Sequence, residues 1–361
     1  MVWPAVVCWT VVCWTVVWRK GVRRGLTLLA AVCLMTAFAT PPAVATTSPW
    51  PEPVLGRLQV SEGIAVRHAR WHAQGPVRGT VVLLHGRTEF LEKYAETAAD
   101  WNRRGFDVFT FDWRGQGLSS RFDGIGQAGH VTDYSVYLDE LRAFLDKVVT
   151  PAAPPGPWVL FGHSMGGHVG LRHLAGDDDR FHAAVFSAPM TDIHTGPFPR
   201  WAASRLAATL ANLGLSERYA FGQGDYSAGS SSFEGNVLTS DPVRFRIHHD
   251  HYRDNPDLRV GGVTFGWLHA TFRSVEALTA PGGLERIRIP TLFVIAPGDK
   301  VVPADSQRAV AARIKGAVVK DLPGSGHEPF IERDEIRNQA WEAIDGFLTG
   351  VPELSPDRQT P

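Results

Sequence analysis

The sequence predicts an α/β protein, with a mostly parallel central sheet flanked by helices and an inserted, mainly helical segment late in the chain. Three observations carry this. Strand-like and helix-like segments alternate through the first half, the order of a parallel sheet covered on both faces. The runs Val81–Leu84, Trp158–Phe161 and Leu292–Ala296 are continuously apolar, as strands buried on two sides are. Gly162-His163-Ser164-Met165-Gly166-Gly167 then joins one of these strands directly to a helix-like segment, Met165 to Ala175, as a G-x-S-x-G turn.

Composition allows a large core and narrows the partners. The chain has 361 residues, 44% of them hydrophobic, enough for one α/β domain with an insertion. A net charge of −1 gives no global reason to expect nucleic acid or an anionic surface as a partner. Cys8, Cys13 and Cys33 all lie near the N-terminus. If that region is removed, disulfides, a cysteine nucleophile and thiolate zinc sites go with it.

Residues 1–45 read as a leader. A basic cluster, Arg19-Lys20-Gly21-Val22-Arg23-Arg24, precedes the apolar run Leu26–Phe38 and the A-x-A site Ala43-Val44-Ala45. That is the order of a signal peptide, so export is expected, with membrane anchorage if the leader is not cleaved. The apolar run is short for a spanning helix. Residues 1–18, with Val6–Thr10 repeated as Val11–Thr15, are dispensable to this signal and read as an upstream extension. Residues 46–56, rich in Pro, Ser and Thr, read as a linker.

The first part of the core is placed at residues 57–190. Arg57–Val60 and Ile64–His72 form a hairpin around Ser61-Glu62-Gly63. Thr80–Leu84 ends at His85-Gly86-Arg87, a helix spans Leu91–Trp101, and Phe106–Phe111 ends at Asp112-Trp113-Arg114-Gly115-Gln116-Gly117-Leu118-Ser119. An amphipathic helix follows, with Thr132 or Asp133 as cap and Tyr137, Leu138, Leu141, Phe144, Leu145 and Val148 at three- and four-residue spacings. Pro151–Pro157 breaks it before the strand that begins at Trp158. His85-Gly86, Asp112 and Ser164 thus each follow a strand, at the edge where such sheets bind ligands. At the elbow a sharp turn strains the backbone of Ser164, and Gly162 and Gly166 supply the room it needs.

Together, His85-Gly86-Arg87, Asp112–Ser119 and Gly162–Gly167 resemble the α/β-hydrolase family, and within it the monoacylglycerol lipase and lysophospholipase (serine aminopeptidase S33-like) branch. The likeness runs from about Arg57 to Leu348. It implies the α/β-hydrolase fold, a serine nucleophile at Ser164 and an oxyanion hole made by two backbone N–H groups, here those of Arg87 and Met165. The Arg87 guanidinium is expected to pair with a carboxylate. His85 reads as a turn histidine bonded to backbone around Gly86, and His163 and His168 as packing around the elbow. Asp112 reads as a turn aspartate held by Arg114 or nearby N–H groups.

Phe181–Phe186 is the next strand, after which the alternation stops. Residues 191–286 carry helices at Trp201–Leu213 and Phe265–Leu278 and a Gly/Ser-rich stretch, Gly222–Gly235. The hydrolase family inserts a cap over its active site here, and an apolar cap suits an acyl chain. His248-His249-Asp250-His251 suggests a metal, but adjacent residues on one helix or strand do not converge on one ion, so it reads as a solvated polar segment. Arg244, Arg246 and Arg253 are candidate head-group contacts, equally explained as a solvated face. Asp192 is a rival for the triad acid.

The core resumes at residues 287–349. Pro290–Ala296 is a strand ending at Pro297-Gly298-Asp299, then come a helix at Ala304–Ile314, a strand at Ala317–Leu322 and the loop Pro323-Gly324-Ser325-Gly326-His327-Glu328-Pro329. Ser164, Asp299 and His327 follow the order of triad members in this fold. Glu328 reads as solvated or paired with an arginine. A last helix, Asp334–Leu348, is expected at the sheet edge, and residues 350–361 as a disordered tail.

The expectation is therefore a serine hydrolase of carboxylic esters, acting on a small lipid or ester substrate, with no metal or organic cofactor, no nucleic-acid partner and transient contact with lipid surfaces. Hydrolysis of a C–C or peptide bond by the same triad is an alternative, and a non-catalytic binding protein on this scaffold is another.

Overall fold

The side chains of the third strand set the plan of the molecule. In the computed structural model, which describes residues 49–176, 178–227, 229 and 232–355, this strand, β3 (Gly79–Leu84), is buried along its whole length. Its alternating side chains separate two cores: Val82 and Leu84 enter one, Val81 and Leu83 the other. β5 (Trp158–His163) repeats the division, with Leu160 in the first core and Val159 and Phe161 in the second.

Eight strands form one sheet, adding β1 (Val54–Ser61), β2 (Ile64–Trp71), β4 (Phe106–Phe111), β6 (Phe181–Ser187), β7 (Thr291–Ile295) and β8 (Val318–Asp321), in the order β1-β2-β4-β3-β5-β6-β7-β8. The pairings β1–β2 and β2–β4 are antiparallel, the rest parallel. On one face pack α2 (Ser135–Phe144) and α4 (Ser164–Leu174), with α8 (Ala304–Ala311) further along. α2 runs on through a wider turn, Leu145–Val149, into a short turn, α3 (Thr150–Ala152). On the other face lie α1 (Ala95–Arg103) and α9 (Asp334–Thr349), where Trp101 and Trp341 meet edge to face.

Between β6 and β7 the chain leaves the sheet for α5 (Arg200–Leu210), α6 (Pro242–Asp254) and α7 (Phe265–Thr279). Among the described residues no helix is long and apolar enough to cross a membrane. The leader and its cysteines lie outside the described residues.

Several expectations are corrected. β1 begins at Val54, inside the stretch read as linker, because Leu55 and Gly56 register against Ala69 and His68. α2 begins at Ser135, whose N–H donates to Asp133 Oδ1 at 2.8 Å. α9 packs on a sheet face rather than its edge, since Ile336, Ala340, Trp341 and Ile344 enter the second core. The chain after it stays ordered to residue 355: Val351 and Leu354 are buried, and Arg78 Nη2 donates to the Leu354 carbonyl at 2.7 Å. Residues 356–361 lie outside the described residues.

Candidate active site

The strand ends deliver the site. Ser164 stands at the end of β5 with φ of 50°, the left-handed backbone that a tight elbow imposes. The glycines around it have separate jobs. A Cβ on Gly162 would lie 2.8 Å from the Gly167 Cα, and one on Gly166 would lie 2.2 Å from the Leu84 carbonyl oxygen. Gly162 therefore lets the elbow fold back on itself, and Gly166 lets α4 approach β3.

His327 arrives on the loop after β8. Its Nδ1 lies 2.7 Å from Asp299 Oδ2 and its Nε2 2.9 Å from Ser164 Oγ. A carboxylate only accepts, so Nδ1 carries the proton and Nε2 is left to accept from the serine hydroxyl. The other oxygen of Asp299 accepts from the Val301 and Val302 N–H groups at 2.7 and 3.1 Å, which fixes the carboxylate in its turn. Burial works to raise the Asp299 carboxyl, but the hydrogen bond and charge of His327 and these N–H groups hold it below its ordinary value. The histidine loop is tied to the inserted segment: the His327 N–H donates to the Val237 carbonyl and that of Glu328 to the Leu238 carbonyl. Asp192 is elsewhere, accepting from Arg200 Nε at 2.8 Å.

Beside the serine, the loop after β3 leaves the Arg87 amide without an acceptor among the described residues. The Gly86 N–H donates to Glu89 Oε2 and the Thr88 N–H to Gln116 Oε1, both at 2.5 Å. The Arg87 N–H lies between them in the chain. Gly86 lies against the nucleophile, since a Cβ there would come within 3.1 Å of the Ser164 Cβ. The Met165 N–H, in the first turn of α4, has no carbonyl one turn back to bond. These two amides flank Ser164, as an oxyanion hole requires.

Sequence reading missed what braces this loop. Glu89 also accepts from Tyr94 Oη and Lys93 Nζ, both at 2.7 Å, and Lys93 Nζ reaches Glu328 Oε1 at 2.6 Å. All four side chains are buried. Burial raises the Glu89 carboxyl, but the Lys93 charge overcomes it and keeps Glu89 ionised, while the two carboxylates hold Lys93 protonated against its own burial. Glu328 is thus neither solvated nor bound to arginine. Glu89, His163 and Glu328 bring ligand atoms within 4.8 Å of one another, but the Lys93 ammonium already takes the cation's place.

His85, His163 and His168 are held in structural contacts. His85 Nδ1 lies 2.8 Å from the Gly86 carbonyl oxygen, His163 Nδ1 3.0 Å from that of Ser187, and His168 Nε2 2.6 Å from Ser274 Oγ. Burial pulls His163 down to about 4 and His168 down to about 3. Asp112 is held by Arg67 and the Leu91 and Leu118 N–H groups, whereas Arg114 turns to Glu140. His248–His251 are solvated only in part: Asp250 is half exposed beside Arg253, but the histidines have partners in the fold. They lie on α6, where His248 packs against Tyr252 and Phe90, and His249 Nδ1 lies 2.9 Å from Tyr226 Oη.

A cavity of about 740 Å³ opens over Ser164 and His327. Met190, Ile193, Val263, Trp267, Leu268, Val301 and Val302 give it an apolar wall, and α6 contributes Arg244, Phe245, His248 and His249. The Arg87 guanidinium does not meet a carboxylate. Its Nη1 donates to the Gly261 carbonyl at 3.0 Å and its Cζ stands 5.7 Å over the Trp267 ring. Arg244 is spent on Glu96, Asp241 and Asp334, Arg253 on Asp250 and Asp254, and Arg246 is exposed away from the cavity.

Comparison with known proteins agrees with this architecture. A family model described as serine aminopeptidase, S33 matches residues 75–334. The chain is 32% identical over 286 residues to a probable lysophospholipase L2 of Haemophilus influenzae, covering 79% of this chain and 88% of that one. It is 33% identical over 309 residues to lysophospholipase L2 of Escherichia coli K12, covering 83% and 88%. Among solved structures, a soluble variant of monoglyceride lipase from Saccharomyces cerevisiae, in complex with a substrate analogue, superposes with a TM-score of 0.63 at 20% identity, covering 85% of this chain and 98% of that one. At that identity the likeness speaks for the fold.

Proposed function

Because this chain belongs to the serine aminopeptidase S33 family of α/β-hydrolases and is a carboxylic-ester hydrolase, we propose that it cleaves the acyl ester of a single-chain lipid, a lysophospholipid or a monoacylglycerol, through a Ser164–His327–Asp299 acyl-enzyme mechanism. The observation that carries the reading is the unbroken contact chain from Asp299 Oδ2 through His327 to Ser164 Oγ.

The chemistry follows from the geometry. His327 Nε2 takes the hydroxyl proton as Ser164 Oγ attacks the ester carbonyl carbon. Asp299 holds the ring in the required tautomer and stabilises its charged form. The carbonyl oxygen gains negative charge and receives the Arg87 and Met165 N–H groups. His327 then gives its proton to the departing alcohol oxygen. Water, deprotonated in turn by His327, attacks the acyl-enzyme and releases the fatty acid. The apolar wall of the cavity suits the acyl chain, and Trp201 and Phe221, 68% and 75% exposed in the inserted segment, suit a passing contact with a lipid surface.

The test is fatty-acid release from monoacylglycerol and from lysophosphatidylcholine across chain lengths, with Ser164→Ala as control and a serine-directed phosphonate to mark the nucleophile. Full activity of Ser164→Ala, or label on another residue, overturns the mechanism. Export through the leader is part of the same proposal, and N-terminal sequencing of the secreted protein, expected to begin at Thr46, checks it.

A further inference from the structure

Three arginine or lysine residues line the cavity among the described residues: Lys93, Arg244 and Arg87. Their surroundings differ sharply. Lys93 is matched by Glu89 and Glu328, and Arg244 by Glu96, Asp241 and Asp334. Arg87 has no carboxylate partner among the described residues. Its one protein acceptor is the Gly261 carbonyl, and an aromatic ring lies under its guanidinium.

The arginine has five N–H donors in a planar fork and remains charged at any working pH. Its Nε and Nη2 have no protein acceptor among the described residues, and burial works to lower the pKa of the guanidinium. A half-buried cation with a free fork on the wall of a cavity is unusual. Such a charge is ordinarily neutralised by the protein unless something else brings the anion.

Its distance from the chemistry selects the anion. From its backbone beside Ser164 the Arg87 side chain runs to Gly261 and Trp267, where a Cβ on Gly129 would come within 3.2 Å of Nη1. The glycerol of a lysophospholipid separates its ester carbonyl from its phosphorus by a chain of bonds similar in length to an arginine side chain measured from Cα to Cζ. A substrate whose carbonyl oxygen meets the Arg87 amide therefore has its phosphate on a tether long enough to reach the Arg87 guanidinium. Planar, paired N–H donors are also the geometry that phosphate oxygens accept best. A monoacylglycerol has only a neutral hydroxyl to offer at that place.

We propose that the Arg87 side chain is the binding group for the phosphate of a lysophospholipid head group, which makes lysophospholipid rather than monoacylglycerol the preferred substrate class. One residue then serves both ends of the reacting glycerol ester, its amide at the carbonyl oxygen and its guanidinium at the phosphate. The inference rests on the ester-hydrolase reading for the placement of the carbonyl, but its test needs no turnover.

Binding to full-length Ser164→Ala is measured by calorimetry with short-chain ether analogues that are soluble as monomers: an alkyl glycerophosphocholine and the corresponding alkyl glycerol. The phosphate-bearing ether is expected to bind about tenfold tighter or more, the scale of one charge-assisted pair. Adding Arg87→Met should abolish that preference by weakening the phosphate-bearing ligand selectively. Arg87→Lys, which keeps the charge and loses the fork, should retain part of it. Glycerophosphocholine without a chain and inorganic phosphate form further arms, both expected to bind far more weakly than the ether lipid. The proposal is overturned if the parent shows no preference, if Arg87→Met weakens both ethers equally, or if inorganic phosphate binds as well as the lipid. Should wild-type protein cleave neither ester, the ester reading fails by itself, while the ether comparison still decides the role of Arg87.

Discussion

Lys93 and Glu328 form a buried ion pair at 2.6 Å that joins the start of the first helix region to the residue following His327. Through its second bond, to Glu89, the same ammonium braces the loop that presents the Arg87 amide. Both loops around Ser164 thus hang on one cation.

Replacing Lys93 with Met should cost about 3–5 kcal/mol, because two carboxylates stay buried without their counter-charge. Urea unfolding measures the loss. Adding Glu328→Gln should restore part of it, since one of the stranded charges is then gone. A loss below about 1 kcal/mol for Lys93→Met, the range of an exposed pair, would count against the brace.

The two candidate acids separate by mutation. Asp299→Asn should lower kcat by about three to four orders of magnitude, the effect of releasing the histidine tautomer. Asp192→Asn loosens Arg200 and should leave kcat within about twofold, as a surface ion pair contributes little. Steady-state kinetics on one soluble ester reads both. A reversed order would move the acid to the end of β6.

Acid should weaken the fold through two buried histidines, offset in part by Glu140, which burial raises to about 7 and whose protonation favours the folded chain. His163 and His168 have folded-state values of about 4 and about 3, against an ordinary value near 6.5, chiefly because both are buried. Below pH 6.5 the unfolded chain therefore binds protons that the folded chain refuses. Their contribution is complete above pH 6.5 and drains away as pH falls toward 4, by up to about 3 kcal/mol for each. Unfolding free energies measured between pH 7 and 4 should fall, and His168→Asn should flatten the slope. An unchanged slope in that variant would sink the assignment.

The end of the chain should bear weight. Ending it at Gly350 removes buried Val351 and Leu354 and the carbonyl that Arg78 bonds. A loss of about 2–5 kcal/mol is expected, the scale of a large apolar side chain lost from a core. Ending it at Ser355 should change the thermal midpoint little. Equal midpoints for the two truncations would mean that the Leu354 contacts contribute nothing.

The residues of the candidate site differ in how far sequence alone reaches them. Ser164, Asp299 and His327 were legible because each ends a strand in a turn with its own local signature, and the strand order places those turns at one edge. The brace was not, because Lys93 and Glu328 are 235 positions apart and nothing local marks them as partners. The Arg87 carboxylate was a fair expectation that failed, since the ring of Trp267 and a single carbonyl took its place. α6 carried a signal that the His248–His251 cluster obscured: Asp241 caps it by accepting from Val243 and Arg244, and Pro242 occupies its first turn. Val351 and Leu354 were hidden by polar neighbours, because two apolar residues make no period.

The inserted segment leaves the sheet after β6 and returns at β7, and those strands are adjacent, with Ser187 registered against Val294. The pairing is parallel, so the chain leaves at the carboxyl end of β6 and re-enters at Thr291, opposite Ala184, and the sheet itself holds these two ends roughly 11 Å apart, whatever lies between them. Closing a longer or shorter excursion there costs little additional entropy. Insertions and sequence drift between these anchors, outside the Val237–Ser240 stretch that bonds the His327 loop, leave the spacing of Ser164, Asp299 and His327 untouched. In such a layout the roof of the cavity can be rebuilt while the floor that holds Ser164 stays as it is.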